Sequence, residues 1–147
     1  MRKLRFLDTN ILLYSISKDP SEASKQALAI ELLANDNNAL SVQVLQEFYV
    51  QATRPSRKDA LTHALAAGLI QTWLRFRVQD VTLSILQEGL RIKLAYGFSY
   101  WDSAIIAAAI AMGCHELCSE DLADGRIIEG VTICNPFRVS QSPEKST

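Results

Sequence analysis

Apolar residues along the chain fall into short runs whose spacing changes from segment to segment. Leu4-Arg5-Phe6-Leu7 reads as a strand ending in Asp8-Thr9-Asn10. Ile11-Leu12-Leu13-Tyr14 then opens a short helix. Asp19-Pro20-Ser21-Glu22 carries a helix start, with Asp19 as N-cap, Pro20 at the first position and Glu22 at the third. Ala27, Leu28, Ile30, Leu32 and Leu33 supply that helix's apolar positions, and the Asn35-Asp36-Asn37-Asn38 cluster stops it. Ala39 to Val42 is a brief strand. Leu45, Phe48, Tyr49 and Ala52 recur at helical spacing before Pro55. A longer helix is predicted from Asp59 to Phe76, with Gly68 in its middle, and a strand from Val78 to Val81. Leu83, Leu86, Leu90 and Leu94 mark a helix closed near Gly97. Ser103 to Met112 is an alanine-rich helix closed by Gly113. His115 to Ser119 and Val131 to Cys134 are the last strands, and a polar, flexible tail is expected over residues 140–147.

Strands separated by helices predict an α/β fold with a mainly parallel sheet covered on both faces. At 147 residues the chain fits one domain, placed at residues 1–139. A domain of this size buries roughly 68–70% of its unfolded surface, enough for a core without disulfides. Three cysteines, Cys114, Cys118 and Cys134, do not make a disulfide framework and fit a reducing, cytoplasmic setting. The longest apolar stretch, Ala104 to Met112, is too short to span a bilayer, so no membrane association is expected. Net charge is −1. No global field draws the protein to a polyanion, and any nucleic-acid contact needs a local basic patch.

Four acids stand where short apolar runs meet turns or helices: Asp8, Glu47, Asp102 and Asp121. In open parallel sheets ligands gather at the carboxyl ends of the strands. Carboxylates brought together there repel one another unless a cation joins them, and hard divalent ions take oxygen ligands. Each acid also has a plain structural reading. Asp8 can cap the helix that follows it. Glu47 shares its helical side with Gln43, Gln46 and Gln51, opposite the Leu45-Phe48-Tyr49-Ala52 stripe, as on a solvated face. Asp102 stands in the capping-box spacing of Ser99-x-x-Asp102. Its helix, however, is apolar all round, and a carboxylate in the first turn of a buried helix needs hydrogen bonds or a cation. Asp121 can be a turn residue, and Glu120 and Asp124 are substitutes that the pattern does not separate from it.

Asp8-Thr9-Asn10 after the first strand, Glu47 on an early helix, Trp101-Asp102-Ser103-Ala104-Ile105 opening an alanine-rich helix and Ser119-Glu120-Asp121-Leu122 after a late strand resemble the PIN domain. Over Leu4 to Phe137 the order and spacing are similar to VapC-type toxins of bacterial toxin–antitoxin pairs. The resemblance implies a three-layer α/β/α sandwich on a central parallel sheet. It implies hydrolysis of RNA with Mg²⁺ or Mn²⁺, leaving a 5′-phosphate. It carries the acidic quartet over as Asp8, Glu47, Asp102 and Asp121, with Asn10 beside it and Ser119 as the small hydroxyl residue before the fourth acid. It implies a homodimer and a small antitoxin laid across the site. Leu122 and Ala123 stand where a further polar residue often follows, leaving the role of Asp124 open.

Other features are weaker. Arg54, Arg57 and Lys58 flank Pro55 as a basic turn that can guide a phosphate backbone. Tyr100 and Trp101 can stack on a base, but core packing is the expected use. Cys114, His115 and Cys118 lack a second ligand pair for zinc. His63 has no serine or cysteine constellation around it. Two other classes remain: a phosphatase or phosphotransfer domain with Asp8 as nucleophile, weakened by Asn10 where such enzymes carry a second Asp, and a non-catalytic binding module.

Overall fold

A computed structural model describes residues 3–141. From residue 142 on, the polar tail expected from Ser140 lies outside the described residues. Six strands form one sheet: β1 (Arg5–Leu7), β2 (Asn38–Ser41), β3 (Arg77–Gln79), β4 (Glu116–Cys118), β5 (Ile127–Ile128) and β6 (Val131–Cys134). Their order is β3-β2-β1-β4-β6-β5. All neighbours are parallel except β5 and β6. The helices are α1 (Thr9–Ser15), α2 (Ala23–Leu33), α3 (Val42–Ala52), α4 (His63–Trp73), α5 (Leu83–Tyr96) and α6 (Tyr100–Ala111). Helix α6 lies across β2, β4 and β6 with α5 packed on it, and α1 packs against α2 and α3. The result is the α/β/α layering expected from the strand–helix alternation. Phe6, Leu7, Leu40, Ile106, Leu117 and Ile133 form its fully buried centre.

Helices α3 to α6 start at hydroxyl caps rather than at the first apolar residue, while Asp8 caps α1 and α2 has no side-chain cap. Thr62 caps α4 through Leu65 N at 3.2 Å, so the helix begins four residues after Asp59, which sits at φ 63°. Ser99 caps α6 through Asp102 N at 3.1 Å, so Tyr100 and Trp101 already belong to the helix. The strand β5 is absent from the sequence reading. It is a two-residue arm of a hairpin whose turn residues, Glu129 and Gly130, both have positive φ, 50° and 92°. That turn geometry favours Asn-Gly or Asp-Gly, so Glu-Gly gives little signal.

The α5 leucines mark the helix but not its buried face. Leu83, Leu86, Leu90 and Leu94 are all exposed, Leu94 at 90%, while Ile85, Gly89 and Ile92 face inward. The buried stripe is set by Gly89, which lets α5 approach α6. A Cβ added there stands 3.3 Å from the Ala104 backbone and 3.2 Å from the Tyr100 ring. Gly89→Leu is therefore expected to overpack the crossing and cost about 1–3 kcal/mol in urea unfolding. An unchanged midpoint contradicts the close approach.

The cysteines are free thiols, and burial pushes Cys114 up to about 11. Among the described residues no single helix is long and apolar enough to cross a membrane.

Candidate active site

The strand order turns at the centre of the sheet: β1 has β2 on one side and β4 on the other. Strand order reverses there, which is where open parallel sheets leave a crevice at their carboxyl ends. Register pairs Leu7 with Cys118, so Asp8 and Ser119 leave the sheet side by side. The Asp8 amide donates to the Cys118 carbonyl at 3.0 Å. The Asp8 carboxylate accepts from the Thr9 amide at 2.7 Å and from the Ser119 hydroxyl at 2.7 Å. Asp8 thus takes up its expected capping place at α1 while its side chain also lines a cleft.

That cleft has a volume of about 140 Å³, and Asp8, Glu47, Asp102 and Asp121 all line it, with Asn10 and Thr9. Glu47 comes from α3 and is half-buried rather than solvated. Its two oxygens accept from the Thr9 hydroxyl at 2.6 Å and the Gln43 amide at 2.9 Å. Asp102 enters from the first turn of α6 while its backbone serves the Ser99 cap. Asp121 accepts from the Asn10 amide at 3.0 Å, and its own N–H donates to the Ser119 hydroxyl at 3.2 Å. Thr9, Ser119 and Asn10 therefore hold three of the four acids. Thr9 has no sequence signal of its own beyond its place between Asp8 and Asn10.

Electrostatics set this cleft apart. Asp8 is 6% exposed. Burial pushes its carboxyl up to about 6. The Ser119 and Thr9 hydrogen bonds oppose that rise, while the Glu47 and Asp102 charges add to it. Asp102 is also raised, first by burial and then by Asp121 and Glu47, against a hydrogen bond with Ser99. Among the described residues no Lys or Arg lines the cleft or pairs with any of the four. An uncompensated cluster of carboxylates is costly, and a hard cation is the partner its all-oxygen donors suit. Side-chain placement is looser than a finished ligand shell. Among the described residues no three His, Cys, Asp or Glu side chains stand close enough to hold a metal ion as they are. The same finding leaves Cys114, His115 and Cys118 without a zinc arrangement.

The substitutes for Asp121 point elsewhere. Glu120 accepts from Tyr14 Oη at 2.5 Å and pairs with Lys25 Nζ at 2.5 Å. Burial raises its carboxyl, but Lys25 and Tyr14 outweigh that and hold it below the ordinary range. Asp124 accepts from the Asn135 amide at 2.8 Å and faces Arg138 at 3.5 Å. Both acids help fix the loop after β4, and neither lines the cleft.

Fold and site together define an α/β domain with carboxylates at a central crevice where the strand order reverses. Residues 5–123 match the family model of the PIN domain, and the chain belongs to that family. Among solved structures it is similar to a toxin–antitoxin complex from Klebsiella pneumoniae, with 23% identity, 87% of this chain and 95% of that one covered, and a TM-score of 0.62. It is similar to VapC20 of Mycobacterium tuberculosis, a sarcin–ricin-loop-cleaving toxin, at 20% identity over 77% and 86% of the two chains, TM-score 0.61. It is also similar to FitAcB from Neisseria gonorrhoeae, at 19% identity over 92% and 100%, TM-score 0.66. At these identities the likeness carries the fold. No curated protein sequence matches the chain at a significant level.

Proposed function

We propose that this protein is a divalent-metal-dependent ribonuclease and the toxin of a toxin–antitoxin pair. The observation that carries the reading is the gathering of Asp8, Glu47, Asp102 and Asp121 around one cleft with, among the described residues, no basic side chain lining it. Membership of the PIN family and likeness to toxin–antitoxin proteins support it. Asp8, Asp102 and Asp121 would hold Mg²⁺ or Mn²⁺, with Glu47 holding a second ion or the attacking water. Such an ion supplies Lewis acidity at the phosphate and lowers the pKa of water.

The chain's own residues do the rest. Thr9 N–H and the Ser119 hydroxyl fix Asp8, and Thr9 and Gln43 fix Glu47, so both carboxylates are aimed before substrate arrives. Asn10 steadies Asp121. Water oxygen attacks phosphorus, the bond to the 3′ oxygen breaks, and that oxygen leaves with a proton. The products are a 5′-phosphate and a 3′-hydroxyl. Nothing in that chemistry uses the 2′-hydroxyl, so the preference for RNA must come from binding. A nucleophilic role for Asp8 fits poorly. The residue is nearly buried, both its oxygens are engaged, and Asn10 bonds to Asp121 rather than serving as an acid.

The proposal includes a cytoplasmic homodimer and a small antitoxin segment that covers the cleft. The test is cleavage of RNA in Mg²⁺, Mn²⁺ or EDTA beside Asp102→Asn. Cleavage is expected only with a divalent ion, and the folded variant is expected to lose at least about 100-fold in rate. Full cleavage in EDTA contradicts the metal requirement. Absence of cleavage, with partner binding and growth inhibition unaffected by EDTA and Asp8→Asn, favours a binding module.

A further inference from the structure

Trp101 is 64% exposed, in contrast to Trp73, which is 4% exposed and packs edge-on to Phe48 at 4.8 Å. Core packing was the expected use of Trp101, and the start of α6 at Tyr100 places it outside instead. Its surroundings hold it in place. Tyr100 meets the ring edge-on at 5.1 Å, and the Trp101 carbonyl accepts from the Gln43 amide at 3.2 Å. Gln43 donates to Glu47 as well, so the tryptophan's backbone is tied to a carboxylate of the cleft.

The ring stands between two recesses. One, of about 360 Å³, is walled by Gln46, Val50 and Arg54 and shares Glu47 and Gln51 with the acidic cleft. The other, of about 230 Å³, runs past Tyr100 to Val81 and Leu86. The first is within the range of small-ligand sites, roughly 300–1,000 Å³. Among the described residues, the Arg54 guanidinium and the Gln46 and Gln51 amides make no hydrogen bond or ion pair. An aromatic face, an unpaired cation and amides that both donate and accept thus lie beside a cluster of carboxylates.

We propose that the larger recess is a nucleotide subsite. Trp101 stacks on an unpaired base next to the scissile phosphate, Arg54 neutralises a flanking phosphate, and Gln46 and Gln51 hydrogen-bond to the base edge. The location of this subsite rests on the ribonuclease reading, but its binding needs no metal. Charge complementarity favours nucleic acid as the occupant. The acidic cleft repels a polyanion, so attraction must come from beside it, and among the described residues Arg54 is the cation that lines the recess. Stacking on a side chain needs a base free of its helix, so the subsite selects loops or single strands over duplex.

The experiment measures binding of a short labelled single-stranded RNA to the full chain in EDTA, with the same sequence as duplex for comparison. Wild type is expected to bind the single strand in preference, with quenching of tryptophan emission that Trp101→Ala removes. Trp101→Ala is expected to weaken binding by roughly 5- to 100-fold, and Trp101→Phe to restore most of it. Arg54→Gln is expected to weaken binding and flatten its salt dependence. Unchanged affinity of a folded Trp101→Ala overturns the subsite. So does a concentration-dependent dimer that Trp101→Ala abolishes while RNA affinity stays the same, since the recess is then covered by a second copy. With Mn²⁺ added, the two readings separate. Trp101-dependent binding without cleavage keeps the subsite and removes the ribonuclease. Cleavage with an unchanged KM in Trp101→Ala keeps the ribonuclease and removes the subsite.

Discussion

Asp8→Asn is expected to abolish RNA cleavage and at the same time to make the protein more stable at pH 7. Loss of activity follows from removing the most central oxygen donor of the cleft, and the expected decrease is at least about 100-fold. The gain in stability has a separate cause. In the folded chain Asp8 has its carboxyl pushed up to about 6 from 3.8, first by burial. Between pH 4 and 6 the folded state therefore holds more protons than the unfolded state, and stability falls as pH rises through that window. Above about pH 6 the full cost of the buried charge is present. Asparagine carries no charge and can still meet Thr9 N–H and the Ser119 hydroxyl. The variant should gain about 2 kcal/mol at pH 7, which for a chain of this length raises Tm by roughly 4–8 °C. The gain should shrink towards pH 4, where wild-type Asp8 is protonated. Thermal melts of both proteins from pH 4 to 8 check the sign. A destabilised Asp8→Asn at pH 7 contradicts the picture of an uncompensated buried carboxylate.

Manganese is expected to stabilise the wild-type protein by the same logic in reverse. At about 100 times Kd an ion that binds only the folded state adds about 2.7 kcal/mol, or roughly 5–10 °C in Tm. Binding requires the carboxylates ionised, so it releases protons and weakens in acid. The Mn²⁺ shift should therefore be largest above pH 7 and small at pH 5, where protons compete for Asp8. Asp102→Asn should lose most of it. A shift of equal size in wild type and both Asn variants places the ion somewhere other than the cleft.

Much of the site was legible because the strand ends carry it. The run Leu4 to Leu7 followed by Asp8-Thr9-Asn10 marks the end of a strand, and the register of β1 with β4 brings Ser119 to Asp8 as that order implies. Asp102 was legible from the contrast between a carboxylate and an otherwise apolar helix. Glu47 stood among the four acids, but its helical side, shared with three glutamines, read as solvated, and only the packing of α1 on α3 turns that side into a wall. The choice of Asp121 over Glu120 and Asp124 needed the Lys25, Tyr14 and Asn135 contacts, which join distant segments. On α5 the leucine spacing marks the helix, and the Gly89 crossing sets its buried face on Ile85, Gly89 and Ile92. Local pattern gives the period of a helix, and its buried face depends on the partner.

The central claim is that Asp8, Glu47, Asp102 and Asp121 close around a divalent ion once it enters, although as they stand they form no metal-holding group. Anomalous diffraction from crystals of the full chain soaked in Mn²⁺ tests this directly. The expected result is a manganese peak in the cleft with an Asp8 oxygen and at least one other oxygen of the four at about 2.0–2.3 Å. Manganese bound only at other sites, with the cleft empty and the four side chains unmoved, contradicts it.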